Sequence, residues 1–227
     1  MMKTFSLPFG KGTQTVSLDE AHVLYDLHGN PVDAVADEQE AIRQALRHPI
    51  GSAPLKDVVQ AGDTVAIIVS DITRLVHTAQ MLPVIVDELN QAGVRDEQIT
   101  VVTAQGTHRA HRPEEDVIVC GEDMVKRVKV VSHDCRDASQ LTKIGTTTHG
   151  NDVYLDSHVV QADKVILTGA VSFHPMAGFG GGRKAEQHEG ARAGTVEAVI
   201  GAAGKGDEAE HEPALLLLFV AERSEEH

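Results

Sequence analysis

Three short stretches of this sequence carry side chains suited to acid/base work, anion binding or a covalent bond. The first, Ser70-Asp71-Ile72-Thr73-Arg74, sets a carboxylate three residues before a guanidinium. The planar fork of Arg74 can clamp a substrate carboxylate while Asp71 orients it, or the two can simply tie a loop together. The second, Gln105-Gly106-Thr107-His108-Arg109, offers a loop histidine that is either a general base or a solvated side chain. The third runs from Phe173-His174 to Arg183-Lys184 and packs four glycines into residues 178–182. It is not a phosphate loop of the Gly-Lys-Ser/Thr kind, because Arg183 stands where the last glycine should be and Ala185 where the hydroxyl should be. A dinucleotide fingerprint fails too, since it needs a third glycine at position 183. What remains is a backbone that Gly180, Gly181 and Gly182 allow to approach a ligand closely, with His174 on one side and two cations on the other. Lys184 is then either an ordinary lysine at a helix start, where the dipole disfavours it, or an amine that Arg183 helps to deprotonate for use as a nucleophile or covalent anchor.

Other groupings are weaker. His108 and His111 sit three apart, but no cysteine or carboxylate completes a zinc spacing, and 188-HEGAR-192 lacks the second histidine of a zincin. Cys120 and Cys135 form no paired motif and read as structural. Nine further histidines, His133 among them, read as surface or tail residues.

The elements that must position these groups follow from periodicity. Residues 4–27 alternate apolar and polar around Gly10 and Gly12, which predicts a short hairpin and a strand over 22–25. A helix is expected over 37–46. Then β-branched runs at 64–70, 98–104, 128–133 and 164–169 alternate with helical stretches at 79–91 and 113–125. That alternation predicts an α/β fold: a Rossmann-like, mostly parallel sheet with helices on both faces, preceded by a short N-terminal β-hairpin. Each candidate motif directly follows one of the strands, so one shared site at the carboxyl edge of the sheet is expected.

With 227 residues and a net charge of −14, the chain can bury a full core but presents no basic surface for nucleic acid. No apolar run approaches the ~20 residues of a membrane span, and two cysteines without a signal segment point to a reducing cytoplasm. Past Lys184 the composition changes: ten acidic residues face three basic ones, around the single apolar run 213-PALLLLFV-220. Residues 214–220 read as a short helix or strand, and 186–227 as an atypical acidic tail that packs loosely.

In order and spacing, Ser70-Asp71-Ile72-Thr73-Arg74, Gly106-Thr107-His108-Arg109 and His174-Pro-Met-Ala-Gly-Phe-Gly-Gly-Gly-Arg183-Lys184 resemble the N-terminal domain of the nickel-dependent lactate racemase family. The resemblance covers about residues 5–185. It implies racemisation or epimerisation of a small 2-hydroxy acid by hydride transfer to a nickel-pincer nucleotide tethered covalently to Lys184. By the same resemblance His108 and His174 form the acid/base pair, Arg74 binds substrate, Asp71, Gly180, Gly181, Gly182 and Arg183 line the cofactor, and cofactor-synthesis enzymes are partners. The pattern departs from the family after Lys184. Glu186-Gln187-His188-Glu189 replaces a Leu-Pro-Gly turn, and Ile200 occupies the place of a nickel-ligating histidine, which leaves the metal ligand unassigned. Residues 1–185 are thus expected to form the catalytic N-terminal domain, with the family's C-terminal domain absent. Residues 215–220 would cover an apolar surface which that domain would contact, and this form would racemise lactate poorly. The rival expectation is a non-catalytic nucleotide- or anion-binding domain; a phosphotransferase is disfavoured by Ala185.

Overall fold

The computed structural model describes residues 1–26, 35–146, 150, 152–170, 173–174, 178–179 and 219–222. The chain divides near residue 32 into two compact units. In the first, β1 (Met2–Phe9) and β2 (Gly12–Asp19) pair antiparallel from Met2↔Asp19 to Phe9↔Gly12. Gly10, at φ 58°, supplies the left-handed turn that closes the hairpin. The strand expected over 22–25 does not form. Asp19 instead accepts a hydrogen bond from Ala21 N and starts a 3₁₀ turn over Glu20–His22, and Leu24 and Tyr25 beyond it are exposed, with no strand to pair with.

The second unit begins with α1 (Glu38–Arg47) and α2 (Leu55–Val58), then β3 (Val65–Ser70), α3 (Thr78–Gln91), β4 (Ile99–Ala104), α4 (Pro113–Cys120), α5 (Glu122–Arg127) and β5 (Lys129–Ser132). A hairpin follows, β6 (Leu141–Thr146) and β7 (Asp152–Asp156), then α6 (Ser157–Gln161) and β8 (Lys164–Leu167). Last come β9 (Phe173–His174) and β10 (Gly178–Phe179), which pair with each other, and β11 (Phe219–Glu222).

The main sheet has the order β11-β8-β3-β4-β5, parallel except for β11 at the edge. Its two faces bury different side chains because successive strand residues point opposite ways. Val65, Ile67, Val69, Ile99, Val101 and Ile166 pack against Leu82, Ile85 and Leu89 of α3 and Met124 of α5. Ala66, Ile68, Val102 and Leu167 face Val159 of α6 and Ala162. Burial on both faces explains why these strands read as continuous apolar runs. Each fully buried Ile or Leu contributes roughly 1.5–3 kcal/mol.

The helix predicted over 113–125 is divided at Gly121, whose φ of 90° no L side chain adopts without strain; Glu122 then starts α5. Cys120, immediately before the break, is fully buried, and burial pushes its thiol up to about 12. Gly93, which ends the turn after α3, has φ 96°, and a Cβ there would stand 2.8 Å from Ala61 Cβ, so the position has neither the conformation nor the room for a side chain.

Of the apolar run near the C-terminus, the described part is a strand: Phe219–Glu222 pairs antiparallel with β8 and extends the sheet at its edge. The rest of 186–227 lies outside the described residues. Among the described residues, no helix is long and apolar enough to cross a membrane.

Candidate active site

β3 holds the centre of the sheet, with β4 and β5 laid down on one side and β8 returning on the other. The winding direction therefore reverses between β3 and β8. In open α/β sheets the crevice outside the carboxyl ends at such a reversal receives the ligand. The chain leaves β3 into Asp71–His77, and it leaves β8 through Thr168, whose backbone N (3.0 Å) and Oγ1 (2.9 Å) both donate to Ile68 O.

Asp71 is buried, only 3 % exposed. Its Oδ1 accepts from Thr73 N (3.1 Å) and Thr73 Oγ1 (2.6 Å), an Asx turn that Arg74 N completes by donating to Asp71 O (2.9 Å). Its Oδ2 stands 2.5 Å from His108 Nδ1. Ionised Asp71 only accepts, so His108 donates to it from Nδ1, which leaves Nε2 on the other side of a ring whose side chain is 53 % exposed. Burial by itself raises the Asp71 pKa, but the bonds from Thr73 and His108 outweigh it and hold the carboxyl below its ordinary value.

The loop bearing His108 is shaped by Gly106, at φ 56°, and by His108 N donating to Gln105 O (2.9 Å). Gln105 is buried; with its amide turned to satisfy both ends, it donates to His133 O (2.7 Å) and accepts from His111 N (3.1 Å). Past the loop, α4 starts with Pro at its first position and three acidic residues in its first turn, a favourable charge at that helix end. Glu115 there takes both Arg109 nitrogens at 2.7 Å and the Arg112 backbone N–H at 2.8 Å, and the Arg109 fork foremost holds its carboxyl far below the usual range.

Arg74 departs from expectation. Asp71 does not orient its guanidinium, because both carboxylate oxygens are already used by Thr73 and His108. Arg74 is exposed and its guanidinium makes no hydrogen bond or ion pair among the described residues, so it is a cation available to an anion. His174 is described only as a strand position in β9, opposite Gly178 in β10. Gly180, Gly181, Gly182, Arg183, Lys184 and Ile200 lie outside the described residues. Two further histidines, His111, weighed above as a metal partner of His108, and His133, read as a surface residue, are buried and paired. The His111 side chain, 1 % exposed, bonds Asp116, and that of His133, also 1 %, bonds Asp156 at 3.1 Å. Asp116 lies five residues beyond His111, at the start of α4, whereas Asp156 is brought to His133 across 23 residues by the fold. Among the described residues no three of His, Cys, Asp and Glu gather as a metal site.

The lactate racemase N-terminal domain family matches residues 9–192. The chain belongs to that family. Two lactate racemases are similar to it over 81 % of its length: that of Lactiplantibacillus plantarum at 33 % identity over 189 residues, and that of Thermoanaerobacterium thermosaccharolyticum at 29 % over 185. The lactate racemase apoprotein structure from the latter organism superposes with a TM-score of 0.66 at 28 % identity, over 80 % of this chain and 42 % of that one. The chain spans 43 % of the length of the two curated lactate racemases. The mixed α/β architecture expected of a lactate racemase N-terminal domain is therefore the one observed, down to the N-terminal hairpin.

The electrostatics of this domain make an acid-stability prediction. Asp71, Asp156 and Glu115 all have folded-state pKa values below the ordinary carboxylate value of about 4. For Asp156 burial is again the largest influence and acts upward, overcome by hydrogen bonds from His133 and His158. A carboxyl depressed by folding contributes stability that is complete above its unfolded value and is lost as pH falls through the folded one. The urea midpoint should therefore hold between pH 7 and 5 and fall steadily below pH 4. Asp71→Asn should flatten that fall, as read by fluorescence-independent circular dichroism titrations at each pH. An unchanged acid slope in this variant would contradict the assignment.

Proposed function

We propose that this chain supplies the acid/base and cofactor-tethering half of a racemase or epimerase of small 2-hydroxy acids such as lactate. The observation that carries the reading is the Asp71–His108 pair at the reversal of the sheet, in a member of the lactate racemase N-terminal family and three residues from an arginine that has no ion pair among the described residues. The Cα–H of a hydroxy acid is too weakly acidic for simple proton removal. The hydroxyl proton, by contrast, is within the reach of an imidazole once hydride leaves the carbon.

His108 Nε2 is the base that takes the hydroxyl proton and gives it back, while Asp71 fixes the ring tautomer and balances the imidazolium that forms. Arg74 receives the substrate carboxylate through its fork. His174, on the segment after β8, is the counterpart base for the other face of the planar keto acid. β9 and β10 pair with each other on the chain segment after β8, and Gly180–Lys184, the residues that would hold a nucleotide cofactor, follow them in sequence. Lys184 would hold the nickel-pincer nucleotide by an amide-type bond and the glycines would let backbone approach its phosphate; the chemistry the group would supply there is reversible acceptance of hydride. Cofactor-synthesis enzymes are the implied partners, and the cytoplasm the implied compartment.

A second reading, a non-catalytic nucleotide- or anion-binding domain, is favoured by Ile200 at the family's nickel-ligand position. Intact-protein mass spectrometry after co-expression with cofactor-synthesis enzymes, with chiral chromatography of lactate, separates the two. An adduct together with racemisation supports the enzyme. An adduct without turnover supports the binding domain, and no adduct removes the tethered-cofactor reading.

A further inference from the structure

We infer that His111, with Asp116 behind it, is a positioning residue that holds the Asp71 loop in register for His108. The proposal rests on the acid/base role given to His108 above. His111 lies three residues beyond His108, yet its ring turns inward and its side chain is 1 % exposed. Its Nε2 accepts from Ile72 N at 3.0 Å. An imidazole nitrogen that accepts an amide N–H carries no proton, so the ring proton is on Nδ1 and is donated to Asp116 Oδ1 at 2.9 Å. Asp116, in the first turn of α4, thereby fixes the tautomer that makes Nε2 an acceptor. The backbone of His111 is pinned from the other side, its N lying 3.3 Å from Ser132 Oγ and 3.1 Å from the Gln105 amide oxygen.

Ile72 is the residue between Asp71 and Thr73. The amide that His111 holds is thus the link between the carboxylate that orients His108 and the residue that supplies two of that carboxylate's hydrogen bonds. The result is a relay of five linked groups, Asp116 to His111 to the Ile72 amide to Asp71 and on to His108. It anchors the loop after β3 to the start of α4. The groups that touch the His111 ring are Asp116 and the Ile72 amide, and neither is spare: without an acceptor at Nε2 the Ile72 N–H is left inside the loop with nothing to bond, and the turn must open to hydrate it.

The test uses the 227-residue chain and two readouts that need neither cofactor nor substrate. Ring ¹⁵N shifts report the tautomer of His108, and hydrogen exchange reports the Ile72 amide. In the unaltered chain His108 should show a locked Nδ1–H tautomer and Ile72 a protected amide. In His111→Phe, which keeps ring volume and removes the acceptor, Ile72 should exchange about tenfold faster or more, the ratio expected for one lost buried hydrogen bond, and His108 should show a mixture of tautomers. His111→Gln, whose amide oxygen can take the place of Nε2, should restore both signals. If His111→Phe fails to fold, Asp116→Ala serves instead, since it frees the His111 ring to change tautomer without removing it, and the same two changes are expected. A locked His108 tautomer in the variant that folds, or equal loss with Gln and Phe, would overturn the inference. Absence of racemisation in the unaltered, cofactor-loaded protein with both signals as expected bears on the catalytic reading alone.

Discussion

Asp71→Asn is expected to slow lactate racemisation by roughly 10²–10⁴-fold, the range over which a positioned acid/base group acts. The asparagine fits the space, and Thr73 N and Oγ1 can still donate to its oxygen, so the Asx turn survives. What it loses is the charge and the acceptor-only character that hold the proton of His108 on Nδ1. With the oxygen held by Thr73, the amide nitrogen is the atom that faces the ring, and it donates to Nδ1. The ring proton then moves to Nε2, which cannot take the hydroxyl proton. The imidazolium formed in the reaction also has no buried countercharge beside it. The measurement is chiral chromatography of D- and L-lactate with cofactor-loaded protein, in which this chain is joined to the C-terminal half of the Lactiplantibacillus plantarum relative. A rate within threefold of the unaltered protein would show that Asp71 does no more than shape its loop.

The second large effect is at Lys184. Lys184→Arg keeps the positive charge beside Arg183 but should abolish the covalent adduct altogether, because a guanidinium stays protonated and is a poor nucleophile. Lys184→Ala should abolish it as well, so the arginine variant is the informative one: it separates charge from nucleophilicity. Intact mass followed by peptide mapping reads the outcome. Adduct on the 183–184 peptide of the arginine variant would move the tether elsewhere and take the proposed cofactor geometry with it.

The sheet was the most legible part of this molecule. The runs 64–70, 98–104, 128–133 and 164–169 each contain one strand, β3, β4, β5 and β8; the match is tightest for β3 and β4, which are buried on both faces and so apolar nearly throughout, while β5 is half-exposed. The hairpin of β6 and β7 left no such trace: Leu141–Thr146 is half-exposed and carries Lys143 and Thr142 among its apolar residues. At the site, Asp71 and His108 could be picked out by their place directly after strands, but their mutual bond spans 37 residues and only the fold creates it. Arg74 invited the opposite error. Three residues from Asp71, it suggested a local ion pair, while Thr73, nearer still, and His108, brought by the fold, take the carboxylate. His111, His133 and Gln105 were missed for the same reason, their partners being Ile72, Asp156 and Ser132, distant in sequence or buried in backbone.

The strand order also fixes when this domain can be completed as it is made. β3 is the central strand, but one of its two neighbours, β8, is tied to it at Thr64 and Asp163 across 99 residues. While a ribosome is extending the chain between them, β4 and β5 can already line up on one side, and the other edge of β3 stays open, an apolar strand with a row of unsatisfied amides and carbonyls. Such an edge is a template for any extended segment nearby. The domain thus has a vulnerable interval in its biosynthesis that ends only when residues 164–167 leave the exit tunnel, and a pause in translation before that point would lengthen it. Closing a contact of that span is also slow in itself, so the same pairing sets the pace of refolding in the test tube.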